Sequence, residues 1–358
     1  MNDDIGADTA LASTDIDETE LKKPDGTLYE QEFWGIQRHE LIAAVADELI
    51  GDRARNEVRR ILEPLGLIEL SQIAGWADTV KRRRPRPDDD EFTRAFLLDD
   101  TNRTTNDTWH YVNMPLDAEE YSRTTYPEPL TRRDDVVQTI NVCVRVLKGN
   151  SDRFDEVNAL RLLTHLVGDV HQPVHCGCCY LDKSVEPARL VRDPEVILAK
   201  GLKSDQGGNN IILPIGANGV SIHHYWDSRL GGSNPDIDDA VEGDVASADV
   251  DPAFKELFVS KLRNMIEQDP SLSEPAEGEA DESPVEEWAA AWATDSLIAA
   301  RSAYETLEIT GQNENDERKY DVSWSGRPAY DARCKPIVIE RMKLAARNLA
   351  RMLDTIWP

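Results

Sequence analysis

Apolar residues recur at helical spacing along most of this chain. Leu41, Ile42, Val45 and Leu49 form one stripe, which predicts an amphipathic helix from His39 through Ile50. A second helical stretch is expected over 54–81, broken near Pro64-Leu65-Gly66, where proline removes a backbone donor and glycine favours a turn. The same period predicts helices over 132–148, 155–171 and 285–307, and a last long one from Pro336 to Trp357. Strand signals are sparse. The best hairpin candidate runs from Asn209 through Ile215 and turns at Gly216-Ala217-Asn218-Gly219. Residues 232–285 are rich in Asp, Glu, Ser and Pro at both ends, around a short helix near 253–268, and Gly278–Pro284 reads as an acidic loop. No internal repeat is visible. The pattern predicts an all-α fold, a single mainly helical domain.

Charge narrows the functional classes. Acidic residues outnumber basic ones by 68 to 40 over 358 residues, a net charge of −28, which argues against broad electrostatic attraction to a nucleic-acid backbone or an anionic membrane. A metal-assisted nuclease stays open, because bound cations can invert the field inside a cleft. Residues 1–33 are rich in Asp, Glu and Thr without an apolar core. They predict an acidic disordered tail and no secretory signal. No apolar window is long enough to span a membrane. The five cysteines, Cys143, Cys176, Cys178, Cys179 and Cys334, are odd in number and partly adjacent, so they form no regular disulfide framework. Buried thiols, a local disulfide and a ligand role all remain open for them.

The histidines change the picture most. All seven fall in or beside four short motifs, the densest being His165-x3-Asp169-x5-His175. Imidazole nitrogen and carboxylate oxygen suit Zn²⁺. At i and i+4 on a helix, His165 and Asp169 share a face, and Pro173 ends or kinks that helix so that His175 can turn toward a second ion. His223 and Asp227 repeat the spacing, after Asp205-Gln206-Gly207-Gly208-Asn209-Asn210. Trp34-Gly35-x3-His39, Trp76-Ala77-Asp78 and Trp109-His110-Tyr111 each set a candidate ligand near a tryptophan. A lone His-x3-Asp is usually a capped or salt-bridged helix face; two, joined by His175, His110 and Asp78, point to metal.

On these motifs, with Trp292-Ala293-Thr294-Asp295-Ser296 and the ending from Tyr330 through Pro336 to Leu349, the chain resembles the zinc-dependent single-strand nucleases of the S-one/P-one type, relatives of bacterial zinc phospholipase C. The likeness runs from Trp34 to the last helix. It implies a nuclease domain over 34–358, with insertions near 176–204 and 232–285 and a trinuclear zinc cluster at the bottom of a cleft. By this resemblance Asp78, His110, His165 and Asp169 hold one zinc, and His175, His223 and Asp227 a second. His39, a bridging Asp169 and Trp34 hold the third. His171 and His224 are extra histidines with orienting or packing roles.

The resemblance further implies a phosphodiesterase acting on single-stranded DNA or RNA as a monomer. Zinc-activated water would attack phosphorus, leaving 5′-phosphate products, with 3′-nucleotidase activity beside it. Asp78 and Lys81 are the expected catalytic residues. Lys81 stands at the family's arginine position, as a point charge in place of a bidentate fork. Tyr111 would stack on a base. Asn113, where relatives usually carry Asp, and Asn209 would meet the base edge. Alternative readings are a phospholipase C-like enzyme acting on lipid head groups and a non-catalytic metal-binding relative. Relatives are exported and start at the tryptophan, whose free amine is a ligand, whereas 33 residues precede Trp34 here. Processing before Trp34, another start codon, or a third zinc held without the amine would each reconcile the two.

Overall fold

The computed structural model describes residues 35–216, 218–230, 252–269 and 284–358. The acidic tail, Trp34, Ala217 of the hairpin turn and the acidic loop at 278–283 lie outside them. At the centre stands the helix Glu156–His171, buried along its whole length from Val157 to His171. Asp155 caps it by accepting a hydrogen bond from the Asn158 backbone N–H at 2.7 Å, which satisfies one of the donors a helix start leaves free. Leu160, Leu163, Leu166 and Val167 are inaccessible to solvent. Truncating any of the three leucines to Ala should cost roughly 2–5 kcal/mol.

Four helices wrap this one: Ile36–Leu49, Val136–Leu147, Val285–Ala300 and Arg327–Ile356. The mainly helical single domain is as expected. Several boundaries differ: the 285–307 helix ends at Ala300, the 132–148 helix starts at Val136 and the first helix starts at Ile36. The 54–81 stretch divides into Asp52–Leu62, two short 3₁₀ turns and Trp76–Thr79, and Gly66 at φ +68° supplies the left-handed turn behind the break. The last helix starts nine residues before Pro336, at Arg327, and runs through it. Pro336 and Ala332, whose carbonyl loses its helical donor there, are both exposed, so water can serve that carbonyl.

Short strands trim the bundle. Ile211–Leu213 and Val220–Ser221 form the expected antiparallel hairpin. Ile211–Leu213 also pairs in parallel with Tyr320–Ser323, which pairs with Glu308–Gln312. Within 176–204, Tyr180–Asp182 lies between Arg189–Val191 and Lys203–Ser204, followed on the chain by no further strand until 211. Met114–Pro115 runs parallel to Gly177–Cys178, tying the segment after His110 to the segment after His175. All five cysteines are buried free thiols. No helix among the described residues is long and apolar enough to cross a membrane.

Candidate metal centre

The central helix ends inside the molecule, and its last turns carry His165 and Asp169. Both are buried, at 0% and 1% relative exposure. Each oxygen of the Asp169 carboxylate faces two imidazoles. Oδ1 lies 2.9 Å from His175 Nδ1 and 3.6 Å from His39 Nε2. Oδ2 lies 2.8 Å from His110 Nδ1 and 3.2 Å from His165 Nε2. His165 Nδ1 donates to the Ala74 carbonyl at 2.7 Å, which turns Nε2 toward the carboxylates. The His39 ring stacks on that of His165 at 3.7 Å. Gly168 makes room for it, because a Cβ at 168 would stand 2.5 Å from His39 Nδ1.

Asp78 approaches from the one-turn helix Trp76–Thr79, with Oδ1 3.5 Å from His165 Nε2 and 3.8 Å from His110 Nδ1. Two links hold this edge. Trp76 Nε1 donates to Thr93 Oγ1 at 2.8 Å. Asn106 donates to the Val80 carbonyl at 2.8 Å and accepts from the Arg82 N–H at 2.9 Å, which fixes the strip carrying Asp78 against the turn Asn106–His110. Lys81 Nζ stands 2.6 Å from Asp78 Oδ1.

His175, His223 and Asp227 form the more open side. Gln172 has the extended backbone that a residue before proline prefers (φ −79°, ψ 117°), and Pro173 starts the turn Pro173–Cys176 that carries His175. The Val112 N–H donates to the His175 carbonyl at 2.7 Å. His223 Nδ1 donates to the Gly207 carbonyl at 3.1 Å, leaving Nε2 3.1 Å from Asp227 Oδ2. Gly207, at φ +62°, lies so near that a Cβ would fall 2.5 Å from the Val174 carbonyl. Asp227 sits in a π-helical turn, Tyr225–Arg229. Its Oδ1 accepts from Gln172 Nε2 at 2.8 Å and lies 3.5 Å from His175 Nε2.

The charges are strongly coupled. Burial opposes ionisation of Asp78, Asp169 and Asp227, yet the surrounding imidazoles, with Lys81 beside Asp78, hold all three well below the ordinary carboxylate range. Burial also disfavours the imidazoliums of His165 and His175, but facing carboxylates raise them to about 10 and about 9. Burial lowers His39 to about 3 and His110 to about 4, helped by His165 and by Lys81 respectively. Three groups offer one donor atom per residue, all within 4.8 Å of one another: His39, His165 and Asp169; Asp78, His110 and His165; His175, His223 and Asp227. His165 Nε2 and both His175 ring nitrogens are buried without an aligned hydrogen bond among the described residues. Unpaired buried polar atoms cost about 1–3 kcal/mol each. An imidazole and carboxylate donor set with such atoms at its centre fits zinc.

The S1/P1 Nuclease family model matches residues 34–358. The chain belongs to the S1/P1 nuclease family. It is similar to Nuclease S1 of Aspergillus oryzae, at 21% identity over 197 residues, 55% of this chain and 54% of that protein. It is also similar to Endonuclease 2 of Arabidopsis thaliana, at 24% identity over 204 residues, 55% of this chain and 56% of that protein. The chain thus spans about half the length of the curated relatives it matches.

Trp34, the remaining expected ligand of this S1/P1 family member, lies outside the described residues. Tyr111 and Asn113 are half-buried, either side of Val112. Burial, with Asp107 nearby, raises the Tyr111 phenol above its usual range. The Asn113 carbonyl accepts from Tyr180 Oη at 2.8 Å. Asn209 is exposed, and its amide donates to the Gln206 carbonyl at 2.9 Å. His171 packs between the Val167 carbonyl and Asn348, at 2.7 and 2.9 Å; His224 pairs with Ser228 Oγ at 3.1 Å. Gln172 was outside the sequence-based candidates. Its one signal is its place before Pro173, where an amide can cap the turn that follows.

Proposed function

We propose that this chain is a zinc-dependent phosphodiesterase that cleaves single-stranded DNA or RNA to 5′-phosphate products and also removes 3′-phosphates from nucleotides. The observation that carries this reading is the Asp169 carboxylate with two imidazoles on each oxygen, flanked by Asp78 and Asp227. Membership of the S1/P1 family supports the same chemistry. Asp78, His110, His165 and Asp169 would hold one ion, and His175, His223 and Asp227 another. His39 and Asp169, with Trp34, would hold a third. Zinc bound there supplies Lewis acidity, which makes water a nucleophile near neutral pH and draws charge from phosphoryl oxygens.

The chain's own residues would do the rest. Asp78, with 27% of its side chain exposed, reaches the open side and can accept a hydrogen bond from the attacking water. Lys81, 39% exposed, stays cationic: burial disfavours its charge, but Asp78, Asp169 and Asp227 outweigh that and raise its pKa. It can pair with a phosphoryl oxygen as negative charge builds there. Tyr111 offers a half-buried ring for one unpaired base, and a base stacked inside a duplex has no free face to present. Asn113 and Asn209 would meet that base at its edge.

Hydrolysis of single-stranded DNA, RNA and a short-chain phosphatidylcholine, each with zinc and again with a chelator, tests the reading. Zinc-dependent cleavage of the nucleic acids is expected, with a melting temperature that falls by several degrees on chelation. Cleavage of lipid alone would move the chain to the phospholipase reading.

A further inference from the structure

We infer that Gln172 is a positioning residue that assembles the His175–His223–Asp227 group, an inference that rests on the metal reading above. Gln172 is fully buried at the break between the central helix and the turn carrying His175. Its amide is used at both ends. Oε1 accepts the Val174 N–H at 2.6 Å and Nε2 donates to Asp227 Oδ1 at 2.8 Å. The orientation is unambiguous, since a backbone N–H can pair only with the amide oxygen and a carboxylate only with the amide nitrogen.

One side chain therefore ties two of the three ligands together across 55 residues of sequence. It braces the turn that presents His175, and it holds one Asp227 oxygen so that the other faces His223 at 3.1 Å. The choice of amide has a chemical reason. A lysine or arginine would hold Asp227 as firmly but would cancel the negative charge that a cation needs. An amide donates without titrating and without adding to the positive charge that Arg38 and Lys81 already place near Asp227, so it orients the carboxylate at no further cost to its charge. Outer partners of this kind typically change metal affinity 10–100-fold.

The test is zinc titration of the chelator-stripped full-length protein, by competition with a chromophoric chelator. It compares wild type with Gln172→Asn, Gln172→Met and Asp227→Asn. Asn is a good cap but too short to reach Asp227, so Gln172→Asn keeps the brace and removes only the orienting contact. Asp227→Asn should abolish one class of zinc, and both Gln172 variants should weaken that same class roughly 10–100-fold. Stripped Gln172→Asn should still unfold cooperatively, within several degrees of wild type, which shows that the turn and the fold survive the change. Wild-type zinc affinity in Gln172→Asn, alongside loss of that zinc in Asp227→Asn, would overturn the positioning role and leave the metal group standing. Full zinc content in Asp227→Asn would overturn the metal group, and the role of Gln172 with it.

Discussion

His165–Asp169 and His223–Asp227 share one spacing and little else. The first pair lies on an unbroken 16-residue α-helix, with side chains at 0% and 2% exposure. The second spans a one-turn helix and a π-turn, with side chains at 22% and 24%. Around Asp169 four imidazoles fill the carboxylate's surroundings; around Asp227 stand two imidazoles and one amide. The same sequence spacing thus lies on a closed floor in one place and on an accessible wall in the other. Metal sites that only hold structure are closed, whereas those that do chemistry keep a position open. Burial, set by the rest of the fold, separates the two pairs where sequence spacing cannot.

The sharpest way to break this comparison is to neutralise each acid in turn. Asp169→Asn should cut phosphodiester cleavage at least roughly 10²–10³-fold and, by leaving buried imidazoles without their counter-charge, cost about 3–5 kcal/mol of folding stability in urea titration. Asp227→Asn should cost as much activity but only on the order of 1 kcal/mol of stability, since its surroundings are partly solvated. Equal destabilisation by the two variants would refute the division into floor and wall.

A subtler measurement asks whether imidazoles, and not burial as such, keep Asp169 ionised. Asp135 is equally buried but faces Tyr121 Oη at 3.0–3.1 Å and backbone N–H groups. Burial lifts it from 3.8 to about 6. With the folded value above the unfolded one, its contribution to stability is complete below about pH 4 and fades as pH rises through about 6. Between pH 8 and pH 5, wild type should therefore gain on the order of 1 kcal/mol over Asp135→Asn. A stability difference that is flat across this range would show that burial does not govern the group. The smallest expected effect belongs to Lys81→Arg, which keeps the charge beside Asp78. It should change turnover by less than about tenfold, whereas Lys81→Ala should lose roughly tenfold or more.

The helical fold class is legible in the sequence, and so is the candidate site wherever local spacing sets it. His165, Asp169 and His175 are legible because one helix and one proline set their relation locally. That Asp78 and His110 meet depends on Asn106 bridging Val80 and Arg82, a contact between segments that no local period encodes. The strands at 180–204 and 308–323 are two to five residues long and owe their pairing to partners distant in sequence. Pro336 reads as a helix start because proline usually is one. Its exposure on the outer face of a packed helix is a tertiary fact. Beyond its place before Pro173, the role of Gln172 is hidden for the same reason, since its partner Asp227 lies 55 residues on.

Gly168 has a meaning for anyone who would engineer this protein for heat resistance. A glycine in mid-helix gives up roughly 0.5–1 kcal/mol relative to alanine, so helix-propensity rules would mark it for replacement first. Here the added methyl would press on the His39 ring at 2.5 Å and push a candidate ligand off its seat. Overpacking a buried ring typically costs about 1–3 kcal/mol, more than the helix would gain, so a stabilisation programme on this scaffold should leave position 168 untouched.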